Sequence, residues 1–509
     1  MNIIAYDLGT GGIKASLYDS KMCTLSKVFV EYETFYPENG MHEQDIADWW
    51  KAVAESTREL LRKTNISPDD IKCIALSGAS LVAIPMSKEN EPLMSRVPIW
   101  SDMRAEQEAG EFFEKIVQKN WYMTTGNGFP APCYSIFKLM WLKKHKPDVF
   151  EKTEYVLGSK DYINFKLTGN AATDYSYASG TGAYDLCERK MRTDYLKAAD
   201  LPENIFLNPV ASHTVIGTVT QEAAEFVGLK AGTKVVCGGV DNACMALGSV
   251  GVEEGKVYVS LGSSSWIPVN SRQPVLDYDK KPYVFAHIEE GMFTSAFSIF
   301  SGGSSLRWAR EILFADCKDD DIYRKMDELA ATAEIGADGV FFNPSLAGGT
   351  SQDKSIHIRG AFEGLHLGTT RADMVRAVME GIAFNLRISL GHLSEKIDIA
   401  DKIMFCGGGS KSPFWMQMFA DIFGRTIEKT NIDQDAASLG AAAIAARGMG
   451  IWENYKPLEQ IKKIERLYQP NEYAVSEYNK IFPVFVHINE AAAKLGDYMY
   501  SKLRNEVKK

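Results

Sequence analysis

The chain has 509 residues, of which 45% are hydrophobic and 24% are charged, and its formal net charge is −10. This composition is typical of a soluble globular protein, and the length predicts two or more domains. The acidic balance argues against a nucleic acid or an anionic membrane surface as the main partner. An anionic substrate stays compatible with it, because backbone N–H groups can bind phosphate locally on an acidic protein.

The eight cysteines are scattered through apolar stretches, without a C-x-x-C pair or a Cys/His cluster of zinc-ligand spacing. They predict buried, reduced thiols in a cytosolic protein. The first residues carry no basic region and reach an aspartate at position 7, which argues against a signal peptide. No apolar run reaches the roughly 18 residues that a membrane span needs. We therefore expect a cytoplasmic protein.

The first predicted strand opens into glycines, since residues 3–18 are IIAYDLGTGGIKASLY. The glycines after Leu8 stand where larger residues would fit, which indicates that something approaches the backbone closely. Thr10 and Lys14 would add a hydroxyl donor and a positive charge to the N–H groups of the turn. Asp7 would meet a bound phosphate only through a divalent cation. The alternative is an ordinary glycine hairpin in which turn N–H groups satisfy Asp7.

Short β-like runs alternate with helical patterns along the rest of the chain, which predicts an α/β fold. The stretch DIADWWKAVAESTRELLRK predicts a helix with Asp45 as its N-cap, and IKCIALSG predicts the buried strand that follows it. In three places a strand ends in glycine and a helical segment follows. These glycines are expected at the strand ends where open α/β sheets bind ligands.

Residues 259–269, VSLGSSSWIPV, repeat the pattern of the first turn: a strand, Leu-Gly, small hydroxyl residues and a second strand. Ser260 takes the place of Asp7, so only the first turn would handle a metal. Ser263 and Ser264 would offer hydroxyl groups to phosphate. Because the two turns lie almost half a chain apart, we predict duplicated domains that face each other across a cleft.

Asp241 is the leading candidate for chemistry, in the stretch VVCGGVDNACMALG. It follows an apolar strand and two glycines, and it opens an apolar helix. If it faces the cleft, its carboxylate could take the proton of an attacking hydroxyl during phosphoryl transfer. The alternative is a helix N-cap, a position that Asp favours.

A third glycine-rich stretch, FCGGGSKSPFW, follows another apolar strand. Its glycines 407 to 409 could let an adenine ring lie against the main chain. The alternative is that they only allow close packing of a helix on a strand.

Together, these motifs resemble the FGGY carbohydrate kinases, which have the actin-like, ribonuclease-H-like ATPase fold. The resemblance runs from residue 3 to about residue 450. YDLGTGGIK resembles the first phosphate motif of the family, VSLGSSS the second, IMFCGGGSKSPFW the adenosine motif, and GGVDNACMALG the segment with the catalytic base. SIFKLMWLKKH at 135–145 and GAFEGLHLGTTRADMVRAVMEG at 360–381 resemble the two family signatures.

The resemblance implies an α/β fold with a duplicated domain and an interdomain cleft. Residues 1–245 would bind the sugar and carry the first phosphate motif, and residues 246–509 would bind the nucleotide and end in a helical tail. It implies phosphorylation of a sugar or polyol hydroxyl by ATP, with Mg²⁺, in a cleft that closes over both substrates.

The resemblance also assigns roles to individual positions, with Asp241 as the general base and Asp7 as the organiser of the metal. The expected phosphate and nucleotide contacts are Thr10, Gly11, Lys14, Gly262, Ser263, Ser264, Gly303, Gly408, Gly409 and Lys411. The expected sugar contacts are Ser80, Trp100, Asp102, Asp241 and Asn242. Asp102 could accept hydrogen bonds from two hydroxyls at once, or it could instead be a helix N-cap ahead of MRAEQEAGEFF.

Three further stretches, WSDMR, TGN and DYSYASGT, resemble the xylulokinase-type branch of the family. Two departures concern the sugar: Ser80 and Leu81 stand where Met and His are expected, and AGGTSQD replaces a loop resembling Gly-Glu-Arg-Thr-Pro. The resemblance thus implies a kinase of a ketose, such as the ketopentoses xylulose or ribulose. A polyol, another ketose or a sugar acid stays open.

Two alternatives belong to other classes: an actin-like ATPase without a sugar substrate, and a non-catalytic sugar sensor. The expected partners are a small sugar and ATP, with no nucleic acid and no membrane. A homodimer is compatible with the sequence.

Overall fold

The structure is a computed structural model that describes residues 2–317, 321–432 and 435–506, and it consists of two α/β lobes. The strands are β1 (Asn2–Leu8), β2 (Gly12–Tyr18), β3 (Thr24–Glu31), β4 (Glu43–Asp45), β5 (Ile71–Gly78), β6 (Ile84–Met86), β7 (Arg96–Pro98), β8 (Tyr155–Leu157), β9 (Tyr184–Asp185), β10 (Lys190–Met191), β11 (Val215–Thr218), β12 (Lys234–Val240), β13 (Val257–Leu261), β14 (Ser265–Ser271), β15 (Tyr283–Ala286), β16 (Phe293–Ile299), β17 (Phe341–Asn343), β18 (Ala361–Glu363), β19 (Lys402–Cys406), β20 (Thr426–Thr430) and β21 (Ile464–Tyr468).

The helices are α1 (Ile46–Thr64), α2 (Glu106–Phe113), α3 (Gln118–Thr125), α4 (Ser135–His145), α5 (Pro147–Phe150), α6 (Ser159–Thr168), α7 (Tyr175–Ala178), α8 (Thr193–Ala198), α9 (Gln221–Val227), α10 (Asp241–Val250), α11 (Gly302–Leu313), α12 (Ile322–Ala330), α13 (Arg371–Ser394), α14 (Pro413–Phe423), α15 (Ala436–Gly448), α16 (Leu458–Ile461) and α17 (Glu472–Glu506). Short 3-10 helices occupy Pro68–Asp70, Ala131–Cys133, Ala337–Gly339 and Gly408–Lys411.

The two lobes repeat one sheet topology. The first sheet has the strand order β11-β12-β5-β1-β2-β3, and the second has the order β15-β16-β14-β13-β19-β20-β21. In each, a central strand pairs antiparallel with the next strand of the chain and parallel with a later one: β1 with β2 and β5, and β13 with β14 and β19. The predicted duplicated domain of an actin-like fold is therefore confirmed.

The predicted first helix is confirmed in detail. Its N-cap, Asp45, accepts a hydrogen bond from the backbone N–H of Ala47 at 2.9 Å. Asn65, in the left-handed conformation that Asn tolerates, ends the helix. The apolar face of α1, including Trp49 and Leu60, is buried against the antiparallel half of the first sheet.

Helices α10 and α15 join the lobes at the base of the cleft. α15 follows a strand of the second sheet but packs on β1 and β5 of the first, and it crosses α10. Glycines make this crossing possible: a Cβ atom on Gly440 would lie 2.0 Å from the carbonyl oxygen of Cys244, and one on Gly248 would lie 1.9 Å from that of Ala436. The two helix backbones therefore touch with no side chain between them.

The lobes also meet at a second place, along one flank of the cleft. The backbone N–H of Val284 in β15 donates to the carbonyl of Gly126 at 2.9 Å, and the hydroxyl of Tyr122 donates to the carbonyl of Pro282 at 3.0 Å. The rings of Phe129 and Tyr283 stack with their centroids 3.8 Å apart. This flank contact is distinct from the helix crossing.

The C-terminal helix α17 packs on the second lobe, against α13 and α14. The hydroxyl of Tyr478 donates to Oε1 of Glu380 at 2.8 Å and accepts from Arg376 at 2.9 Å, so a buried ion pair ties the tail to α13. Among the described residues, no helix has the length and apolar character to cross a membrane.

All eight cysteines are free thiols. The expectation that they are buried is wrong for Cys23 and Cys187, which are exposed, and Cys317 is half-buried. Cys23 lies in the loop between β2 and β3, and Cys187 lies in the turn between β9 and β10, so neither is inside a strand and both side chains reach the surface.

Candidate active site

The first hairpin turn, between β1 and β2, contains one glycine that packing requires and one that is exposed and has free space around it. A Cβ atom on Gly12 would lie 2.5 Å from the carbonyl oxygen of Val30 in the neighbouring strand, so packing requires that glycine. A Cβ atom on Gly11 would meet nothing within 4 Å, and Gly11 is exposed. Nε1–H of Trp100 donates to Oγ1 of Thr10 at 2.9 Å, which holds the threonine hydroxyl at the turn.

Asp7 and Lys14 face each other across the register of this hairpin. Asp7 accepts a hydrogen bond from the hydroxyl of Ser77 at 2.9 Å. Among the described residues no N–H group of the turn donates to it, so the alternative that the turn satisfies Asp7 is wrong. Burial raises the pKa of Asp7, and the nearby charge of Lys14 opposes that rise. Nζ of Lys14 also lies 3.9 Å from Oδ1 of Asp435, at the start of α15.

The second hairpin turn, between β13 and β14, has the same three-residue length as the first. Its carbonyls accept from the first turn of α11: the N–H of Gly303 donates to Gly262 and the N–H of Ser304 donates to Ser263, both at 2.9 Å. Gly303 thus positions the hairpin, and a Cβ atom there would lie 2.4 Å from the carbonyl oxygen of Gly262. Ser263 and Ser264 are exposed at the tip.

The third glycine stretch folds as a 3-10 turn after β19. Gly407 has a φ of +90°, and a Cβ atom on Gly409 would lie 2.5 Å from the side chain of Leu261, so close packing requires both. A Cβ atom on Gly408 would meet nothing within 4 Å, and Gly408 and Lys411 are exposed. In this stretch, therefore, close packing requires Gly407 and Gly409, while the backbone at Gly408 stays open.

Asp241 is the first residue of α10, and Val240 is the N-cap, so the N-cap alternative for Asp241 is wrong. Its Oδ1 accepts from the backbone N–H of Asn242 at 2.8 Å. Burial and the neighbouring charge of Asp7 raise the pKa of Asp241 to about 7. A carboxyl group with such a pKa can exchange protons near neutral pH.

The raised pKa has a consequence for stability. Between the pKa of an unfolded Asp, about 3.9, and the folded value of about 7, the folded state holds a proton that the unfolded state has lost. The stability of the ligand-free protein should therefore fall as pH rises through this window. The variant Asp241→Asn has no carboxyl group to titrate here, so its stability should not fall in this way. It should be more stable than the parent at pH 8 and equally stable near pH 4.

The full difference between the folded and unfolded pKa values corresponds to at most about 4 kcal/mol of stability. Solvent in the open cleft should reduce the stability that Asp241→Asn gains at pH 8 to about 1–2 kcal/mol. Thermal unfolding midpoints at pH 4, 6 and 8 measure the effect. Asp148→Asn, which changes an exposed carboxylate, is the control and should follow the parent at every pH. A gain that does not depend on pH would contradict the prediction.

A cleft between the lobes brings together six of the sixteen predicted site residues. Its empty volume is about 1540 Å³, including its open mouth. The predicted residues that line it are Thr10, Ser80, Trp100, Asp241, Asn242 and Ser264. The predicted residues outside its lining are Asp7, Gly11, Lys14, Asp102, Gly262, Ser263, Gly303, Gly408, Gly409 and Lys411. Asp7 nevertheless lies close enough to Asp241 to raise its pKa.

Asp102 is completely buried beneath the cleft wall, and its alternative role as an N-cap is wrong because α2 begins at Glu106. Arg104 donates to both of its carboxylate oxygens, at 2.9 and 2.8 Å, and the backbone N–H of His42 donates at 2.7 Å. The structure therefore does not bring Asp102 to the cleft lining.

Sequence reasoning missed a buried hydrogen-bond chain behind Asp241. The N–H of Val240 donates to Oγ of Ser176 at 2.9 Å, and that hydroxyl donates to Oδ2 of Asp174 at 2.5 Å. Oδ1 of Asp174 pairs with Nζ of Lys160 at 3.0 Å. The stretch DYSYASGT signalled this site only through its resemblance to the xylulokinase branch.

A second missed residue is Lys138 of α4, whose Nζ is buried under the cleft. It donates to the carbonyls of Leu81 and Ile99, at 2.9 and 2.6 Å. Burial lowers its pKa to about 8. Lys138 thus connects the two loops that form the floor of the cleft.

These features define a class of protein. Duplicated lobes of the actin-like ATPase fold present two glycine hairpins and one carboxylate to a shared cleft, which is the arrangement of a two-lobe phosphotransferase. The model of the FGGY family of carbohydrate kinases, N-terminal domain, matches residues 2–248, and that of the C-terminal domain matches residues 257–449. The chain belongs to the FGGY family of carbohydrate kinases and is a phosphotransferase with an alcohol group as acceptor.

Individual relatives cover nearly the whole chain. It is 28% identical over 494 residues to a xylulose kinase of Staphylococcus epidermidis, covering 97% of each chain, and 27% identical over 501 residues to a gluconokinase of Bacillus licheniformis, covering 96% of each. The crystal structure of a ligand-bound xylulose kinase from Lactobacillus acidophilus superimposes with a TM-score of 0.90 at 27% identity, covering 98% of this chain and 99% of that one.

The chain of hydrogen bonds behind Asp241 leads to a prediction about Ser176. Val240 is the residue before Asp241, and its N–H donates to Ser176. Replacing Ser176 with alanine removes the acceptor of that hydrogen bond. We expect kcat to fall about tenfold while the KM for ATP is unchanged, because a small displacement of a proton acceptor slows the transfer step. Steady-state kinetics with the acceptor in excess measures this.

Ser212→Ala is the matched control, since Ser212 donates to the same carboxylate oxygen of Asp174, at 2.8 Å, without reaching Val240. Both variants should lose about 1–3 kcal/mol of stability. Equal kcat values for the two variants would reduce Ser176 to a purely structural role.

Proposed function

We propose that the protein transfers the γ-phosphate of ATP to a hydroxyl of a ketopentose such as xylulose or ribulose. The observation that carries the proposal is the single cleft that holds hydroxyls of both hairpins, Thr10 and Ser264, together with Asp241. The names of the xylulose kinase relatives support the acceptor class. Because another relative is named a gluconokinase, the experiment below also includes acceptors of other classes.

Asp241 would take the proton of the attacking hydroxyl. At neutral pH a carboxyl group with a pKa of about 7 is partly ionised, so it can accept a proton from the alcohol and later release it to solvent. Its place at the start of α10, one residue after Val240, whose N–H donates to Ser176, supports an acceptor hydroxyl bound beside the first turn of that helix.

The hairpins would hold the phosphates of the donor. Gly11 and Ser263 are exposed at the two tips, and Gly408 offers an open stretch of backbone for the nucleoside. N–H and hydroxyl groups arranged in this way stabilise the negative charge that spreads over the transferred phosphoryl group. The first turn of α11, bonded to the second hairpin, adds the positive end of a helix dipole.

The residues present fit a Mg²⁺ ion carried in with the nucleotide. In the described part of the chain, no three or more His, Cys, Asp or Glu side chains gather as a metal cage. Mg²⁺ is usually held by one or two carboxylates plus substrate phosphates, and Asp7 beside Asp241 supplies that pattern. When bound, the ion would neutralise charge on the phosphates, with Asp7 as its protein partner.

Turnover with a panel of acceptors tests the proposal. Purified protein with ATP, Mg²⁺ and D-xylulose, D-ribulose, gluconate or glycerol should form ADP in the presence of a ketopentose and much more slowly with the others. ATP turnover that is independent of any sugar would instead favour an actin-like ATPase. Ligand binding without ADP formation on any acceptor would favour a sugar sensor.

A further inference from the structure

We infer that the acceptor has an apolar end: it is a short-chain deoxy-ketose whose hydroxyls cluster around the reacting carbon and whose other end is a methyl group. This inference rests on the proposed function, because it concerns the same cleft. The observations that support it are the apolar character of much of the cleft lining and the hydrogen bonds that some polar side chains of the lining already form.

Much of the lining of the cleft is apolar and partly exposed. The partly exposed apolar side chains that line it are Trp100, Met103, Phe129, Met245, Trp266 and Phe300. Met103 and Phe129 belong to loops of the first lobe, not to the hairpins or to α10, so they meet the part of the acceptor that does not react. Sγ of Cys133 lies 3.4 Å from Sδ of Met103 and continues the same apolar surface.

The polar side chains of the lining sort into three groups. Thr10, Ser260 and Ser264 belong to the hairpins that face the phosphates. Two others each have one side-chain hydrogen bond already: Oγ of Ser101 bonds to Nδ1 of His42 at 2.7 Å, and Oγ of Ser298 donates to the hydroxyl of Tyr283 at 3.3 Å.

The third group, Ser80, Asp241 and Asn242, lies outside the hairpins and has no such hydrogen bond to another side chain of the described residues, so we assign it to the acceptor. Asp241 is the single charged side chain in the described lining of the cleft. A carboxylate on the acceptor would therefore lack a cationic partner there, and three polar side chains match two or three hydroxyls near the reacting carbon.

The floor of the cleft adds few further partners. The carbonyls of Leu81 and Ile99 already accept from Lys138. The carboxylate of Asp102 is enclosed by Arg104 and the backbone N–H of His42. The side chain of Leu81 cannot form a hydrogen bond.

Leu81 also has a φ of +63°, which is uncommon for a leucine. Strained residues of this kind cluster at functional sites, where the surrounding structure holds them in place. The loop therefore keeps an apolar residue in an unfavourable backbone conformation in the lining of the cleft. A hydroxyl placed on this side of the cleft would lose its water without gaining a partner.

Matched acceptors test the inference. We expect kcat/KM to be about 10- to 100-fold higher for 1-deoxy-D-xylulose than for D-xylulose, and likewise for the two forms of ribulose, since an unpaired hydroxyl costs about that factor in an apolar site. Equal or lower values for the deoxy compounds, with ADP formed, would overturn the inference and leave the proposed function intact.

Calorimetric binding of the same four compounds separates the two proposals. Tighter binding of the deoxy forms without ADP formation would support the apolar site and overturn the proposed function. Binding of the deoxy forms that is no tighter would overturn the inference, whatever the turnover.

The variant Met103→Gln introduces an amide of similar length on the apolar surface. It should reduce the preference for deoxy acceptors about tenfold, because the amide can pair with a hydroxyl. Met123→Gln, which makes the same change at an exposed position of α3, is the matched control and should leave the ratio unchanged. An unchanged ratio in a folded Met103→Gln protein would overturn the inference, and the parent protein's kinetics and binding decide it if that variant does not fold.

Discussion

Replacing Asp241 with alanine should reduce kcat by about 10²–10⁴-fold, the range that general-base catalysis supplies. The carboxyl group opens α10 at the cleft, and its pKa of about 7 suits proton transfer near neutral pH. The KM for ATP should change little, because the side chain meets the acceptor and not the nucleotide in the proposed arrangement. Coupled measurement of ADP formation with a ketopentose in excess provides both constants.

Asp241→Asn should lose activity to the same extent as the alanine variant, because an amide keeps the shape but cannot accept the proton. Asp148→Asn should keep the activity of the parent. A turnover of Asp241→Ala within a few-fold of the parent would remove Asp241 from its role as the base.

Replacing Gly440 with alanine should destabilise the protein by about 3 kcal/mol or more, although alanine usually stabilises a helix relative to glycine by about 0.5–1 kcal/mol. The added Cβ would lie 2.0 Å from the carbonyl oxygen of Cys244, so the backbone of α10 or α15 must move. The shift would also misplace Asp241 at the start of α10, so kcat should fall as well. Chemical denaturation and steady-state kinetics measure the two effects.

Gly391→Ala is the matched control, since Gly391 lies within α13 and a Cβ atom there would meet nothing within 4 Å. That variant should be as stable as the parent or slightly more stable. If Gly440→Ala had the stability of Gly391→Ala, the two helices would not depend on direct backbone contact.

Local patterns predicted the parts of the site that local geometry determines. Both hairpins, the helix that opens at Asp241 and the glycine stretch at the end of β19 follow from apolar runs interrupted by glycine and a polar residue. The repeated turn predicted the duplicated sheets because equivalent strands keep equivalent patterns. These features depend on residues that are neighbours in the sequence.

Features that depend on distant partners could not be predicted in this way. Nothing near Asp102 in the sequence shows that the backbone N–H of His42, 60 residues away, donates to its carboxylate. The chain from Lys160 through Asp174 to Ser176 joins segments whose proximity only the fold creates. For the same reason the lobe that the C-terminal helix covers follows from packing, not from the periodicity of the helix.

The two separate contacts between the lobes restrict how the cleft can change shape. Both contacts are extended: α15 packs along β1 and β5, and on the flank the N–H of Ala286 also donates to Oγ of Ser179 at 3.3 Å. A rotation that keeps both contacts must turn about an axis that passes through them. We expect Phe129, whose ring stacks on Tyr283 in the flank contact, to keep its place when the cleft opens, so the apolar lining around it stays assembled while the hairpins move apart.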